Sequence, residues 1–184
     1  LGFHHVAIAT RDLGATHRFY TEAMGFALAK VVAAPNPETP EVGTPATEPS
    51  WSRHVFYDTG DGDMFAVWDI HDASLGEFDP AIATGLGLPI WSNHIAFRAA
   101  SLDDLAVRRD RWLAHDIDVL EVDHGWCTSI YSTDPNGIMV EWCTTTRAFT
   151  AADTDEAHRL LTAERPELET PPRPKVYRAA SVAR

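Results

Sequence analysis

Two stretches of the chain alternate apolar residues with small or polar ones, and each is a copy of the other. His5-Val-Ala-Ile-Ala-Thr-Arg-Asp-Leu13 returns as His94-Ile-Ala-Phe-Arg-Ala-Ala-Ser-Leu102, with His5 matching His94, Ala7 matching Ala96 and Leu13 matching Leu102. A period of two marks a strand with one buried face. After each copy the pattern turns helical. Asp12 is a candidate N-cap for a helix over Leu13 to Met24 that stops at Gly25, and Ser101 with Asp104 caps a second over Leu102 to His115. Three short strands follow each helix: 26–33, 53–58 and 64–70, then 119–123, 127–133 and 138–143. Turn sequences at Asp61-Gly62 and Asp134-Pro-Asn-Gly137 join the last two strands of each half. The predicted order is βαβββ, twice, an α+β fold.

Three segments fall outside the repeat. Residues 34–50 carry Pro35, Pro37, Pro40, Pro45 and Pro49, which rule out helix and predict a long surface loop, either a lid over a site or a solvated insertion. Residues 73–91 form a linker between the modules. Thr150 and Asp153 cap a helix to about Ala163, and a Pro-rich tail follows that packs on a neighbouring subunit or frays. The expected organisation is a first module over 1–72, the linker, a second module over 92–146, and a helix with extended tail over 147–184, one structural domain overall.

Charge narrows the partners. Lys and Arg number 15 against 27 Asp and Glu, a net charge of −12 with no basic block. Such a chain is a poor ligand for nucleic acid or anionic membranes. No run of 18 apolar residues is present, and no secretory leader is visible at Leu1 to His5. Cys127 and Cys143 are too few for a disulfide framework, so a reducing cytoplasmic setting is expected.

The candidate chemistry sits on the strands. His5 shares a strand face with Ala7 and Ala9, and His94 with Ala96, so both stand where small neighbours leave room for a cavity. Glu141 lies inside Met-Val-Glu-Trp-Cys, where a carboxylate is costly to bury unless it is paired or binds a metal. Singly, each histidine also fits a core residue bonded to a backbone carbonyl. Together, two repeat-related histidines and one carboxylate form a 2-His-1-carboxylate set, the pattern of non-haem Fe(II) oxygenases. Trp51, Trp68, Trp91, Trp126 and Trp142 read as core, with one or two available to line an aromatic pocket.

His4-His5-Val-Ala-Ile-Ala-Thr-Arg-Asp-Leu13, Phe19-Tyr20, Met24-Gly25-Phe26, Ser92-Asn93-His94-Ile-Ala-Phe97 and Asp134-Pro-Asn-Gly-Ile-Met-Val-Glu141 resemble the vicinal oxygen chelate superfamily over residues 1 to about 146. That superfamily includes glyoxalase I, fosfomycin- and bleomycin-resistance proteins and type I extradiol ring-cleavage dioxygenases. The resemblance implies paired modules whose mixed sheet curves around a metal, with ligands His5, His94 and Glu141 and with His4 outside them. Val122-Asp-His124, Ile130-Tyr131-Ser-Thr-Asp134-Pro135-Asn-Gly137 and Glu141 resemble the ring-cleavage signature. By that resemblance His124 and Tyr131 are catalytic and flank a catechol-type aromatic. The cofactor is Fe(II), with Mn(II) or another divalent metal as alternatives, and O2 is the second substrate. The proton-acceptor histidine that such enzymes carry on the first module is missing here. Asp63, or His54 on the neighbouring strand, is the candidate substrate contact in its place. The position matching Glu141 in the first module holds Ala66, so the fourth ligand of the glyoxalase type is absent. The other readings are a non-redox lyase, isomerase or thiol transferase of the same fold, and a bleomycin-resistance-type binding protein. The sequence leaves the oligomeric state open; the resemblance implies a homodimer as one assembly, since paired-module proteins often dimerise.

Overall fold

The computed structural model describes residues 3–36, 50–60 and 62–180. Of the loop predicted over 34–50, residues 37–49 lie outside them. The chain divides into two compact units, one of residues 1–95 with 133–139, the other of residues 96–132 with 140–184. Each contains most of one module, but the turn of the second module belongs with the first.

The first sheet has the order β1-β4-β3-β2, with β1 His5–Thr10, β2 Ala27–Pro35, β3 Trp51–Asp58 and β4 Met64–His71. β1 runs parallel to β4, and the remaining pairs are antiparallel. Ala34 and Pro35 complete β2, so the predicted loop begins later than its prolines imply. Pro35 is accommodated because β2 is an edge strand. Val55, Tyr57, Phe65 and Val67 line one face of the sheet and are buried. Tyr20 and Phe26 pack in that core, with the Tyr20 ring 4.3 Å from Phe65 and 6.0 Å from Phe26.

The helix predicted over Leu13 to Met24 is α1, Leu13–Arg18, continued by one π-helical turn over Phe19–Ala23. Asp12 caps it through Ala15 N at 2.8 Å. The wider turn, closed by Met24 N to Phe19 O at 3.0 Å, brings Phe19, Tyr20, Ala23 and Met24 all into the core. Gly25 follows at φ 80°, a conformation costly for other residues.

A buried polar network ties the 133–139 turn into this unit. Thr10 Oγ1 donates to Asn136 Oδ1 at 2.6 Å, and Tyr20 OH donates to Asp134 Oδ2 at 2.9 Å. Asp134 also accepts from Asn136 Nδ2 and from the backbone N–H groups of Asn136 and Ile138. Thr10, Thr16, Tyr20, Asp134 and Asn136 are all buried, and their hydrogen bonds offset that burial. Burial and the adjacent Asp134 carboxylate raise the pKa of Tyr20 well above the ordinary phenol value.

The second sheet has the order β5-β8-β7-β6-β9, with β5 His94–Arg98, β6 Val119–Asp123, β7 Cys127–Thr133, β8 Met139–Thr145 and β9 Lys175–Tyr177. Helix α3, Leu102–Ala114, belongs to this unit, where Leu105, Trp112, Val119, Ile130, Val140 and Trp142 are buried. Ser101 Oγ caps Asp104 N at 3.1 Å. The Asp104 carboxylate accepts from Ala100 N, so the predicted capping box is displaced by one residue. The tail does not fray over Lys175–Tyr177. β9 adds to the edge of β6 in its own chain, helped by Lys175 on Glu121 and Arg178 on Asp118.

Between the modules lies a short helix, α2, Ile82–Gly85. After the second module comes α4, Ala151–Thr162, whose N-terminus carries a closed capping box of Thr150 and Asp153. Thr150→Ala removes that box and is expected to cost about 1 kcal/mol locally. Native-state hydrogen exchange at the first turn of α4 should then accelerate about fivefold, with exchange in the sheets unchanged. Among the described residues no helix is long and apolar enough to cross a membrane.

The tryptophans correct the sequence reading. Of the five assigned to the core only Trp142 is buried. Trp51, Trp68, Trp91 and Trp126 are exposed by 38% or more, while Trp112, not singled out, is fully buried. Strand alternation sent Trp68 to the open face opposite Val67, and Trp91 lies on the linker.

Candidate functional site

Register decides which side chains meet. In the first sheet His5 pairs with Met64, Ala7 with Ala66 and Ala9 with Trp68, while His54 pairs with Trp68 and Phe56 with Ala66. Partners across a ladder share a face. His5, Ala7, Ala9, His54, Phe56, Ala66 and Trp68 therefore occupy the face opposite the Tyr57–Phe65 core. The His5 ring centroid lies 5.9 Å from that of His54 and 5.5 Å from that of Phe56. His54 stacks on Trp68 at 3.8 Å. Its Nε2 is buried and has no hydrogen-bond partner among the described residues. Burial, and then the neighbouring His5, lower the pKa of His54, so the neutral ring is favoured.

The structure groups His54 with His5. Asp63 sits exposed in the turn before β4, one residue out of phase with Met64, and so has the parity of Phe65 rather than of Ala66. Its backbone carbonyl accepts from Thr59. Sequence reasoning set His4 aside, yet its Nδ1 lies 2.8 Å from Nδ1 of His5. In the tautomer where His5 donates, the Nε2 lone pair of His5 is left for a ligand.

Two backbone bonds fix the hairpin of the second sheet. Asp134 N donates to Ile138 O and Thr146 N to Trp126 O, each at 2.9 Å. Both ends obey one antiparallel register, which sets Tyr131 across from Glu141 and Ser129 across from Cys143. Ala99 N donates to Cys143 O at 2.8 Å, so in the parallel pair of β5 and β8 Ala96 lies beside Glu141. His94, two residues before Ala96, has the same strand parity. The first sheet repeats this arrangement with Ala7 beside Ala66, and Ala66 is the counterpart of Glu141.

Glu141 is 5% exposed on an apolar strand. Tyr131 hydrogen-bonds to it, and His124 Nε2 lies 3.0 Å from Tyr131 Oη. With the Tyr131 hydroxyl donating to the carboxylate, its oxygen accepts from His124 N–H. Burial, with the Glu141 charge adding to it, pushes the Tyr131 pKa up to about 12. Tyr131 is therefore a proton donor at neutral pH. Burial, with Cys143 and Glu141 nearby, likewise pushes Cys127 up to about 12, which suits a structural thiol and not a nucleophile.

The donor set suits a divalent ion. His94 Nδ1 lies 2.9 Å from the Trp91 carbonyl, which can only accept. That bond places the proton on Nδ1 and leaves Nε2 as the lone-pair nitrogen, the usual orientation of a metal-binding imidazole. The same bond also serves a purely structural histidine. Among the described residues no three His, Cys, Asp or Glu side chains stand grouped as a metal cluster. A His5–His94–Glu141 centre therefore rests on donor chemistry and on repeat position.

Residues 2–142 match the family model of the Glyoxalase/Bleomycin resistance protein/Dioxygenase superfamily. A glyoxylase/bleomycin resistance protein/dioxygenase domain from Frankia sp. EAN1pec is 20% identical, covering 79% of this chain and 98% of its own, with a TM-score of 0.55. Lactoylglutathione lyase from Agrobacterium tumefaciens is 21% identical over 77% of this chain and 92% of its own, with a TM-score of 0.48. Fosfomycin resistance protein FosX from Mesorhizobium loti is 18% identical over 83% and 95%, with a TM-score of 0.49. The likeness to the Frankia domain, at 20% identity, speaks for the fold alone. No curated protein sequence matches the chain.

Proposed function

The chain belongs to the glyoxalase/bleomycin resistance protein/dioxygenase superfamily, and we propose that within it this protein is an extradiol ring-cleavage dioxygenase acting on a catechol-type aromatic. The observation that carries this reading is the line His124–Tyr131–Glu141, with a 3.0 Å contact between His124 and Tyr131 and Tyr131 directly across from Glu141. It sets a protonated phenol, backed by an imidazole, beside a proposed metal ligand. His5, His94 and Glu141 would hold Fe(II), with Mn(II) the main alternative. Bound there, the ion would bring the two vicinal oxygens of a catechol next to O2 and lower their pKa.

The chain's own groups supply the rest. As negative charge develops on a substrate oxygen, the Tyr131 hydroxyl turns its one proton from Glu141 to donate a hydrogen bond to that oxygen. His124, an exposed ring with Nε2 3.0 Å from Tyr131 Oη, orients that hydroxyl and is placed to give a proton to an oxygen of the substrate or of O2. His54, on the face of His5, contacts the aromatic ring, flanked by Phe56 and Trp68. Ala66 offers no fourth ligand, which leaves coordination positions for a bidentate diol and for O2.

The test is anaerobic reconstitution with Fe(II), followed by an oxygen electrode and absorbance spectroscopy over a panel of substituted catechols. One O2 consumed per catechol, with a yellow ring-opened product, is the expected result. A protein that binds iron but consumes no oxygen with any catechol would overturn the proposal. In the active enzyme Tyr131→Phe should lower kcat about tenfold, the worth of one hydrogen bond to developing charge, while iron content stays at the wild-type level.

A further inference from the structure

We propose that His4 is a positioning residue that fixes the tautomer of His5, so that His5 presents the lone pair of its Nε2 to a divalent ion. That role rests on the reading of His5 as a metal ligand. Nδ1 of His4 lies 2.8 Å from Nδ1 of His5, and the two rings meet edge to face with centroids 5.1 Å apart. The contact occupies Nδ1 of His5, so Nε2 is the nitrogen left to bind.

With both rings neutral, one proton lies between the two Nδ1 atoms, and it has two homes. If His5 donates, its Nε2 keeps a lone pair and His4 carries its own proton on Nε2. If His4 donates, His5 carries its proton on Nε2 and cannot bind an ion there. A cation selects the first arrangement, and every molecule held in the second lowers the apparent affinity. His94 has no such choice. Its Nδ1 lies 2.9 Å from the Trp91 carbonyl, which only accepts. The two repeat-related histidines are thus oriented differently, one by the backbone and the other by a neighbouring side chain.

Backbone and ring contacts hold the pair in place. Met64 N donates to His4 O at 3.1 Å, and Met64 is also the ladder partner of His5. The His5 ring packs against Phe56 and His54, with centroids 5.5 and 5.9 Å away. Both His4 and His5 are exposed, so water competes for the shared proton. Loss of His4 should therefore weaken the site without abolishing it.

Competition with a chelating dye reads the affinity of the full chain for Fe(II), held anaerobic, and for Zn(II). His4→Ala should weaken both about tenfold, the lower end of the cost of losing such a partner. His5→Ala removes the ligand itself and should weaken both about 100-fold or more. His4→Asn puts Oδ1 where Nδ1 stood, as an acceptor for His5, and should restore affinity to within about threefold of wild type. Long-range 1H–15N spectra of the Zn(II)-loaded wild type should place the proton of His5 on Nδ1 and that of His4 on Nε2. Circular dichroism checks the fold of each variant, and the wild-type spectra decide the question if His4→Ala does not fold. Wild-type affinity in His4→Ala, no recovery in His4→Asn, or a His5 proton found on Nε2 would each overturn the proposal. If His5→Ala loses the ion and His4→Ala does not, the role of His4 alone is refuted. If His5→Ala keeps wild-type affinity, the ligand reading is refuted and the role of His4 with it.

Discussion

Glu141→Gln should remove bound divalent metal and oxygen-dependent turnover together. The substitution keeps the shape of the side chain and takes away its charge. A neutral amide is a much poorer ligand than a carboxylate, so affinity should fall at least 100-fold. Elemental analysis of protein reconstituted with Fe(II) reads the occupancy, and the oxygen electrode reads the turnover. Stability adds a second readout. In the metal-free protein the Glu141 carboxylate is 5% exposed, with Tyr131 among its hydrogen-bond partners. Neutralising it should leave the melting temperature of the metal-free protein unchanged or raise it. The added metal should stabilise the wild type and not the variant. Wild-type metal content in Glu141→Gln would refute the ligand assignment, whatever the activity. His5→Ala and His94→Ala should act in the same direction.

Asp134→Ala should be the most destabilising single substitution outside the apolar core. It removes the acceptor for Tyr20 OH, for Asn136 Nδ2 and for two backbone N–H groups. Tyr20 is wholly buried, so its hydroxyl cannot turn to water. Leaving several buried donors unpaired costs about 3 kcal/mol or more. For a chain of this length that is a fall of roughly 6–12 °C in melting temperature. Tyr20→Phe removes one donor and leaves the acceptor its other three bonds, so its cost should be about 1 kcal/mol. Urea denaturation of the two variants separates the effects. An Asp134→Ala protein within 1 kcal/mol of wild type would mean that the network adds nothing to the fold.

These two residues show how differently a sequence discloses its contents. Asp134-Pro-Asn-Gly137 is legible as a turn, because Pro and Gly restrict or free the backbone locally. Its bonds to Thr10 and Tyr20 are not legible, since partners more than 100 residues apart leave no local pattern. The helix beginning at Leu13 is legible from Asp12 and Gly25, but its π-helical turn is set by the need to place four neighbouring side chains in one core. Pairing of Lys175–Tyr177 with β6 was hidden by the prolines around it. A three-residue edge strand is too short to show a period.

The sequence by itself determined the duplicated βαβββ order, because alternation and helical spacing are properties of neighbouring residues and an internal copy confirms them. It also determined which faces His5, His94 and Glu141 take, since strand parity follows from counting. The turn at Asp134-Pro-Asn-Gly137 and the repeat also imply Tyr131 across from Glu141 and Ala66 as the first-module counterpart of Glu141. Only the tertiary structure decided the register between strands that no tight turn joins. It joined His4 and His54 to His5 and brought His124 within 3.0 Å of Tyr131. Register is a relation between strands, fixed by turns and by core packing that distant residues share. No count along one strand contains it.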